Sequence, residues 1–189
     1  MIFYIMGKSA SGKDSLYKKL LASDLRLNRV VIYTTRPKRD GESDGVEYYF
    51  VDKKFLDDNK EKVIEERVYH TVFGDWFYAT IDDGKIEKNK NYVMIGTLES
   101  YNNMKKYYGE EMIFPIYIEA SDEIRRKRAI KRENMQKVPK FDEMERRFKA
   151  DEIDFSEENI KKARIEKRYN INELEECFKE VSADIRKNG

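Results

Sequence analysis

Gly7-Lys8-Ser9-Ala10-Ser11-Gly12-Lys13-Asp14-Ser15 follows the apolar run Ile2-Phe3-Tyr4-Ile5-Met6 and precedes Leu16-Tyr17-Lys18-Lys19-Leu20-Leu21. A strand, a glycine loop ending in Gly-Lys and then an amphipathic helix is the context of a phosphate-binding loop. Gly7 and Gly12 let the backbone bend so that its N–H groups point inward, and a helix starting near Lys13 adds its positive end. The Lys13 ammonium supplies a mobile charge for β and γ phosphates. Residues 7 to 15 are therefore the candidate nucleotide loop. A ligand-free glycine turn is the plain alternative, and the paired Gly-Lys between strand and helix argues against it. One position departs from the usual pattern: Asp14 stands where a hydroxyl ordinarily ligates magnesium, and the hydroxyl comes one residue later, at Ser15.

Working outward, continuous apolar runs at 30–33, 92–95 and 113–118 read as buried parallel strands. Helical patterns at 98–107, 122–132, 141–150 and 173–186 alternate with them, the second opened by Ser121 as N-cap. The segment 36–83 breaks this rhythm, being rich in Tyr, Phe and Val with turns at Asp40-Gly41 and Asp44-Gly45. The expected architecture is one three-layer α/β domain over 1–189 with a parallel central sheet (core 1–35 and 84–189). A β-rich insertion (36–83) and a helical lid (128–147) complete it.

Composition agrees with a soluble enzyme. The 189 residues suffice for a sizeable core, and 38 Lys plus Arg against 37 Asp plus Glu mark neither a nucleic-acid nor a membrane binder. The apolar start is too short for a signal or a span. The single Cys177 excludes an internal disulfide, fits a reducing cytoplasm and falls on an apolar helix position. The only histidine, His70, reads as a packing residue of the insertion. No Cys, His or carboxylate cluster has metal-ligand spacing, so a metal is expected to arrive as the magnesium of ATP.

The insertion opens with Thr34-Thr35-Arg36-Pro37-Lys38-Arg39-Asp40-Gly41-Glu42, followed by Asp44-Gly45-Val46-Glu47-Tyr48-Tyr49-Phe50. Arg36 and Arg39 lie on a turn at the end of a core strand, where open α/β sheets bind ligands. Two guanidinium forks there suit a phosphate, with Tyr48 as an added hydroxyl donor; a solvated basic turn is the alternative.

This motif, together with the loop at 7–15, resembles the guanylate kinase family over almost the whole chain. The resemblance implies a P-loop kinase fold with an inserted NMP-binding subdomain, and transfer of the γ-phosphoryl of ATP to GMP or dGMP. It also implies that Arg36, Arg39 and Tyr48 hold the GMP phosphate. Phe73-Gly74-Asp75-Trp76-Phe77-Tyr78-Ala79-Thr80 is similar to the family's Phe-Gly-Asn-x-Tyr-Gly-Thr segment, with one residue more, which implies that Tyr78 meets the phosphate and Thr80 the base. Trp76 and Phe77 read as a hydrophobic patch. The family's lid arginines fall at Arg128, Arg132 and Arg147, implying a charge clamp on the transferring phosphoryl beside Lys13.

At three places the chain departs from the family pattern. The serine near guanine is Ile32, the base-reading glutamate is Glu65 at a longer spacing from Gly74, and an Asp-x-Asp stretch is replaced by Gly96-Thr97-Leu98-Glu99. Thr97 or Glu99 is the candidate substitute for those acids, Glu99 reading equally as a helix-start acid, and Ser15 is the candidate protein ligand of Mg²⁺, with Asp14 or Glu99 ordering its waters. Two other readings stay open on the sequence. One is a kinase for another phosphorylated acceptor such as ribose 1,5-bisphosphate, since Lys13-Asp14-Ser15 also resembles ribose bisphosphate phosphokinases. The other is a non-catalytic guanylate-kinase-like binding domain, against which the retained Lys13 argues. The expected partners are small nucleotides, not nucleic acid or membrane, with monomer and homodimer both open.

Overall fold

The computed structural model describes residues 1–71 and 73–189. Its centre is β1 (Ile2–Met6), every residue of which is buried. Alternation along a strand sends Ile2, Tyr4 and Met6 to one face and Phe3 and Ile5 to the other, and both faces are packed. β1 pairs in parallel with β7 (Tyr92–Ile95) on one side and β8 (Ile113–Glu119) on the other. β2 (Asn28–Arg29) and β9 (Arg168–Asn170) complete a five-stranded parallel sheet in the order β2-β7-β1-β8-β9.

The Ile2/Tyr4/Met6 face is covered by α3 (Leu98–Tyr108) and α6 (Glu157–Lys162), with Tyr101, Met104 and Ile160 in the core. The opposite face carries α1 (Lys13–Leu21) and α7 (Leu174–Asn188), which bury Leu16, Leu20, Val181 and Ile185. Helix, sheet, helix is the three-layer arrangement expected. Cys177 is buried in α7, and desolvation pushes its thiol up to about 11, so it is an inert core residue. Among the described residues no helix is long and apolar enough to cross a membrane.

The chain runs from β1 out to β2 on one side and later returns past β1 to β8 and β9 on the other. The C-terminal end of β1 is therefore the switch point of the sheet, and the glycine loop sits there.

The run Val30–Tyr33 is not one core strand. Val30 still donates to the Val93 carbonyl (3.2 Å), but Tyr33 and Thr34 form β3 in a second sheet. That sheet has the order β4-β3-β6-β5, with β4 (Tyr49–Phe50), β5 (Val63–Thr71) and β6 (Gly74–Ile81). An apolar run reports burial, not which sheet provides it, and here the chain crosses between two. A short α2 (Lys53–Asp58), capped by the Asp52 side chain, closes the second sheet's core around Tyr33, Leu56, Ala79 and Ile81. His70 is not a packing residue: it stands exposed at the end of β5, its Nδ1 2.7 Å from Asp75.

Residues 128–147, expected as a lid, fall within two helices and their connection, α4 (Asp122–Asn134) and α5 (Phe141–Asp154), packed through Ala129, Met144 and Phe148. Ser121 caps α4 by accepting from Ile124 N–H, as expected.

Beside β1, the Tyr4 hydroxyl is buried without a hydrogen-bond partner and lies where a Gly96 side chain would be. A Cβ on Gly96 would stand 1.8 Å from that oxygen and 2.7 Å from the ring carbon bearing it. Gly96→Ala is thus expected to lower stability by about 1–3 kcal/mol through overpacking. Tyr4→Phe, which removes an unpaired buried hydroxyl, should be close to neutral. Urea midpoints of the two variants check this, and a Gly96→Ala protein as stable as the parent would refute the packing account.

Candidate active site

The loop between β1 and α1 is shaped by close approach and by φ. A Cβ on Gly7 would fall 2.4 Å from the backbone oxygen of Ile118 on β8, so only glycine lets the loop leave the sheet there. Gly12, at φ 108, turns the chain into α1 without a side-chain cap. Ser11 N–H returns to Lys8 O (3.2 Å) and Ser15 N–H to Gly12 O (3.0 Å). Among the described residues the N–H groups of Ala10, Gly12, Lys13 and Asp14 donate to no protein acceptor. Unpaired donors converging at a helix N-terminus, with an ammonium beside them, are what an anionic phosphate needs.

Lys13 is half-buried, and desolvation lowers its pKa, opposed by the charges of Asp14 and Asp151. Asp14 and Ser15 are exposed on the first turn of α1, offering hard oxygen donors near the loop.

The loop is held from outside by arginines and by α5. Arg128 donates from Nη1 to Ser11 O (2.6 Å) and from Nη2 to Ile171 O (3.1 Å), so its fork braces the loop's outer side. Arg125, 1% exposed, donates to Ser9 O (3.1 Å) and pairs with Asp122 (2.6 Å) and Asp151 (3.0 Å). Asp151 in turn accepts Ser9 N–H (2.7 Å) and the Ser9 hydroxyl (3.2 Å). Lys8 reaches Glu152 on the same helix (2.7 Å). Arg125 and Asp151 are absent from the residues expected on sequence. The available signal was spacing: Arg125, Ala129 and Glu133 form one buried stripe of α4, and Met144, Phe148 and Asp151 form one of α5.

A cleft of about 810 Å³ opens over this loop. Gly7, Ser9 and Lys13 line one side, Gly96 and Thr97 its floor, and Arg146 and Arg147 of α5 another side. Arg39, Tyr48, Arg67, Tyr69, Trp76 and Tyr78 face them from the second sheet. The cleft adjoins a hollow of about 1050 Å³ between α1 and the insertion, which shares Ile32, Arg39, Tyr48 and Ile95 with it.

Arg39 and Arg147 have no acidic partner among the described residues, so both forks remain available. Arg36 is different. It is 3% exposed, grips Glu42 with two bonds (3.0 and 2.7 Å), and lies 5.3 Å from the Tyr48 ring, behind the cleft wall. The Glu42 bonds raise the Arg36 pKa further, keeping it cationic. Desolvation raises the Tyr48 phenol, which therefore stays protonated and able to donate.

Glu65 and Thr80 are buried against each other (Thr80 Oγ1 to Glu65 Oε1, 2.8 Å) and lie under the lining of the cleft. Thr97 caps α3 by accepting Ser100 N–H, while Glu99 is exposed on the first turn. Arg132, half-exposed and 3.8 Å from Glu133, stands away from the cleft. Phe77 packs in the second sheet's core, whereas Trp76 turns to the cleft and stacks on Phe73 with ring centroids 6.5 Å apart.

The family model described as "Guanylate kinase" matches residues 2–181, nearly the whole chain. The chain belongs to the guanylate kinase family. Among its relatives, the guanylate kinase of Helicobacter hepaticus is 31% identical over 134 residues, 70% of this chain and 66% of that protein. That of Bacteroides fragilis is 33% identical over 127 residues, 63% of this chain and 60% of its own. The chain thus spans somewhat under two thirds of these relatives' length. A solved guanylate kinase from Anaplasma phagocytophilum superposes with a TM-score of 0.67 at 22% identity, covering 99% of this chain and 85% of that one, which establishes a shared fold. In this guanylate kinase family member, the hairpin β5–β6 and helix α5 line the cleft over the glycine loop from two sides.

Proposed function

We propose that the protein is an ATP-dependent guanylate kinase, transferring the γ-phosphoryl of ATP to GMP or dGMP. The observation that carries this reading is that a second, independent anion grip faces the loop across one cleft. The unpaired loop N–H groups and Lys13 lie on one side, the free fork of Arg39 and the protonated Tyr48 on the other. Two phosphate sites on opposite walls suit a donor and an acceptor that each carry phosphate.

In this reading the loop holds the ATP phosphates, and Arg39, Tyr48 and Tyr78 hold the acceptor's phosphate. Arg36, locked on Glu42, keeps that wall in place. Lys13 and Arg147 carry charge that develops on the transferring group, which is most of what phosphoryl transfer requires of a protein. Mg²⁺ arriving with ATP would offset phosphate charge, and Ser15 and Asp14 are the oxygen donors that would help hold it. Arg128 and Arg132 become clamp residues only through a rearrangement of α4, since Arg128 now braces the loop. The core, the insertion 36–83 and the helical pair are the parts that would move relative to one another on closing. A cytoplasmic location accords with the lone, buried Cys177.

The test is ADP release from ATP and Mg²⁺ with GMP, dGMP, the other monophosphates and ribose 1,5-bisphosphate. Turnover confined to GMP and dGMP supports the proposal; turnover only with another acceptor overturns it. Within that assay, Arg39→Met should raise KM for GMP by about 10-fold or more while leaving KM for ATP near its parent value, because one charged bidentate contact to the acceptor phosphate is lost.

A further inference from the structure

Arg67 has no place in the reading above, yet it faces the cleft. A register shift between Val63 and Glu65 sets the phase of β5, after which alternation puts Glu65, Arg67 and Tyr69 on one face. Their partners across the hairpin are Thr80, Tyr78 and Trp76. Glu65 is the buried foundation of this row: its side chain is 2% exposed, and one oxygen accepts from Thr80. Its other oxygen lies 3.3 Å from Arg67 Nε. The Arg67 side chain is 21% exposed, and its Nε is buried without a hydrogen-bond partner. No Nη bond of Arg67 occurs among the described residues. A buried, oriented carboxylate therefore holds a guanidinium fork whose remaining donors are directed at no protein group, at the wall of a ligand cleft.

We propose that Arg67 reads the acceptor's base, its fork taking the adjacent oxygen and ring nitrogen acceptors (O6 and N7) of a 6-oxopurine. A planar fork matches two acceptors side by side, and this pairing is the usual way arginine selects guanine. A 6-aminopurine sets an amino donor against the guanidinium and leaves one of the two bonds unmade. Glu65 and Thr80 act through Arg67 as positioning residues, fixing its plane. The inference rests on the guanylate kinase reading, since it names what the acceptor wall of that site selects.

The experiment compares the parent with Arg67→Met and Arg67→Lys, using GMP, IMP, AMP and 7-deaza-GMP as acceptors. Arg67→Met should lower kcat/KM for GMP and IMP alike by on the order of 10- to 100-fold. The AMP value should not fall, and KM for ATP should stay within about twofold. Arg67→Lys, which keeps charge without the fork, should fall between. The decisive arm is 7-deaza-GMP, which lacks the N7 acceptor. It should be a poorer acceptor than GMP for the parent and equal to GMP for Arg67→Met.

An unchanged GMP-to-AMP ratio in Arg67→Met, or the same 7-deaza penalty in both proteins, overturns the assignment. Loss of all acceptors together, with a lowered melting temperature, would show a merely structural role and also overturns it. A parent that turns over no GMP refutes the functional reading instead. Calorimetric binding of GMP against 7-deaza-GMP then still decides whether Arg67 meets the base.

Discussion

Lys13→Ala lowers phosphoryl transfer by on the order of 10³-fold or more without unfolding the protein. Lys13 stands at the N-terminus of α1 among loop N–H groups that have no protein acceptor among the described residues, so in the proposed reaction its ammonium and the loop act on one phosphate chain. Burial disfavours the charged form, which lowers its pKa, and only Asp14 and Asp151 oppose this. A group whose folded pKa is depressed below its unfolded value costs stability while it is protonated. Removing it therefore leaves stability unchanged or slightly raised at neutral pH. A bound phosphate chain would supply compensating negative charge and raise the Lys13 pKa again. The expected pattern is a collapse of single-turnover rate with an unaltered or higher melting temperature. Turnover near the parent rate would refute the role given to the loop.

Asp151→Ala is expected to do the reverse, costing stability first. Arg125 is 1% exposed and keeps, without Asp151, only the more exposed Asp122 and a 3.5 Å approach to Glu152. Leaving a buried guanidinium short of its partner costs about 3 kcal/mol, the low end of the range because two carboxylates remain. For a chain of this size that is roughly 6–12 °C in melting temperature. Ser9 N–H loses its acceptor at the same time, so ATP affinity falls as well. The double variant Arg125→Met with Asp151→Ala should recover much of the stability, since an absent pair is cheaper than a broken one. Thermal unfolding of the three proteins checks this. Strictly additive losses would show that the two residues do not act together.

These two residues differ in how visible they are in the sequence. Lys13 is announced by a local pattern: an apolar strand, two glycines at the required spacing and a helix whose first turn follows directly. β7, β8 and the helices α3, α4, α5 and α7 are legible for the same reason, because periodicity and caps act over neighbouring residues. Asp151 and Arg125 owe their meaning to packing between residues 142 and 116 positions from Ser9 in the chain. Among four consecutive cationic neighbours the one sign that Arg125 turns inward is its i, i+4, i+8 spacing with Ala129 and Glu133, a stripe with a single apolar member.

β9 and α6 are short and largely polar, with Tyr169 and Ile160 their buried anchors, so neither has enough period to be read. The second-sheet wall of the cleft shows the same limit. Arg39, Tyr48 and Tyr78 line the cleft, while Glu65 is buried behind Arg67. Which of two residues on one strand face covers the other depends on depth, which a period of two does not contain.

The crossing at Val30–Tyr33 has a mechanical consequence. Val30 is still laddered to the core sheet, the Ile32 carbonyl already accepts from Tyr49, and Tyr33 is paired in the second sheet. Val31 is thus the single residue between two hydrogen-bonded bodies, and its branched side chain is stiff. Sliding the bodies past each other would break ladders on both sides, whereas torsion at Val31 breaks none. Were the second sheet to turn against the core, Val31 would take up the bend on the outgoing chain, while residues 82–91 and the Tyr107–Asp82 bond hold the returning one.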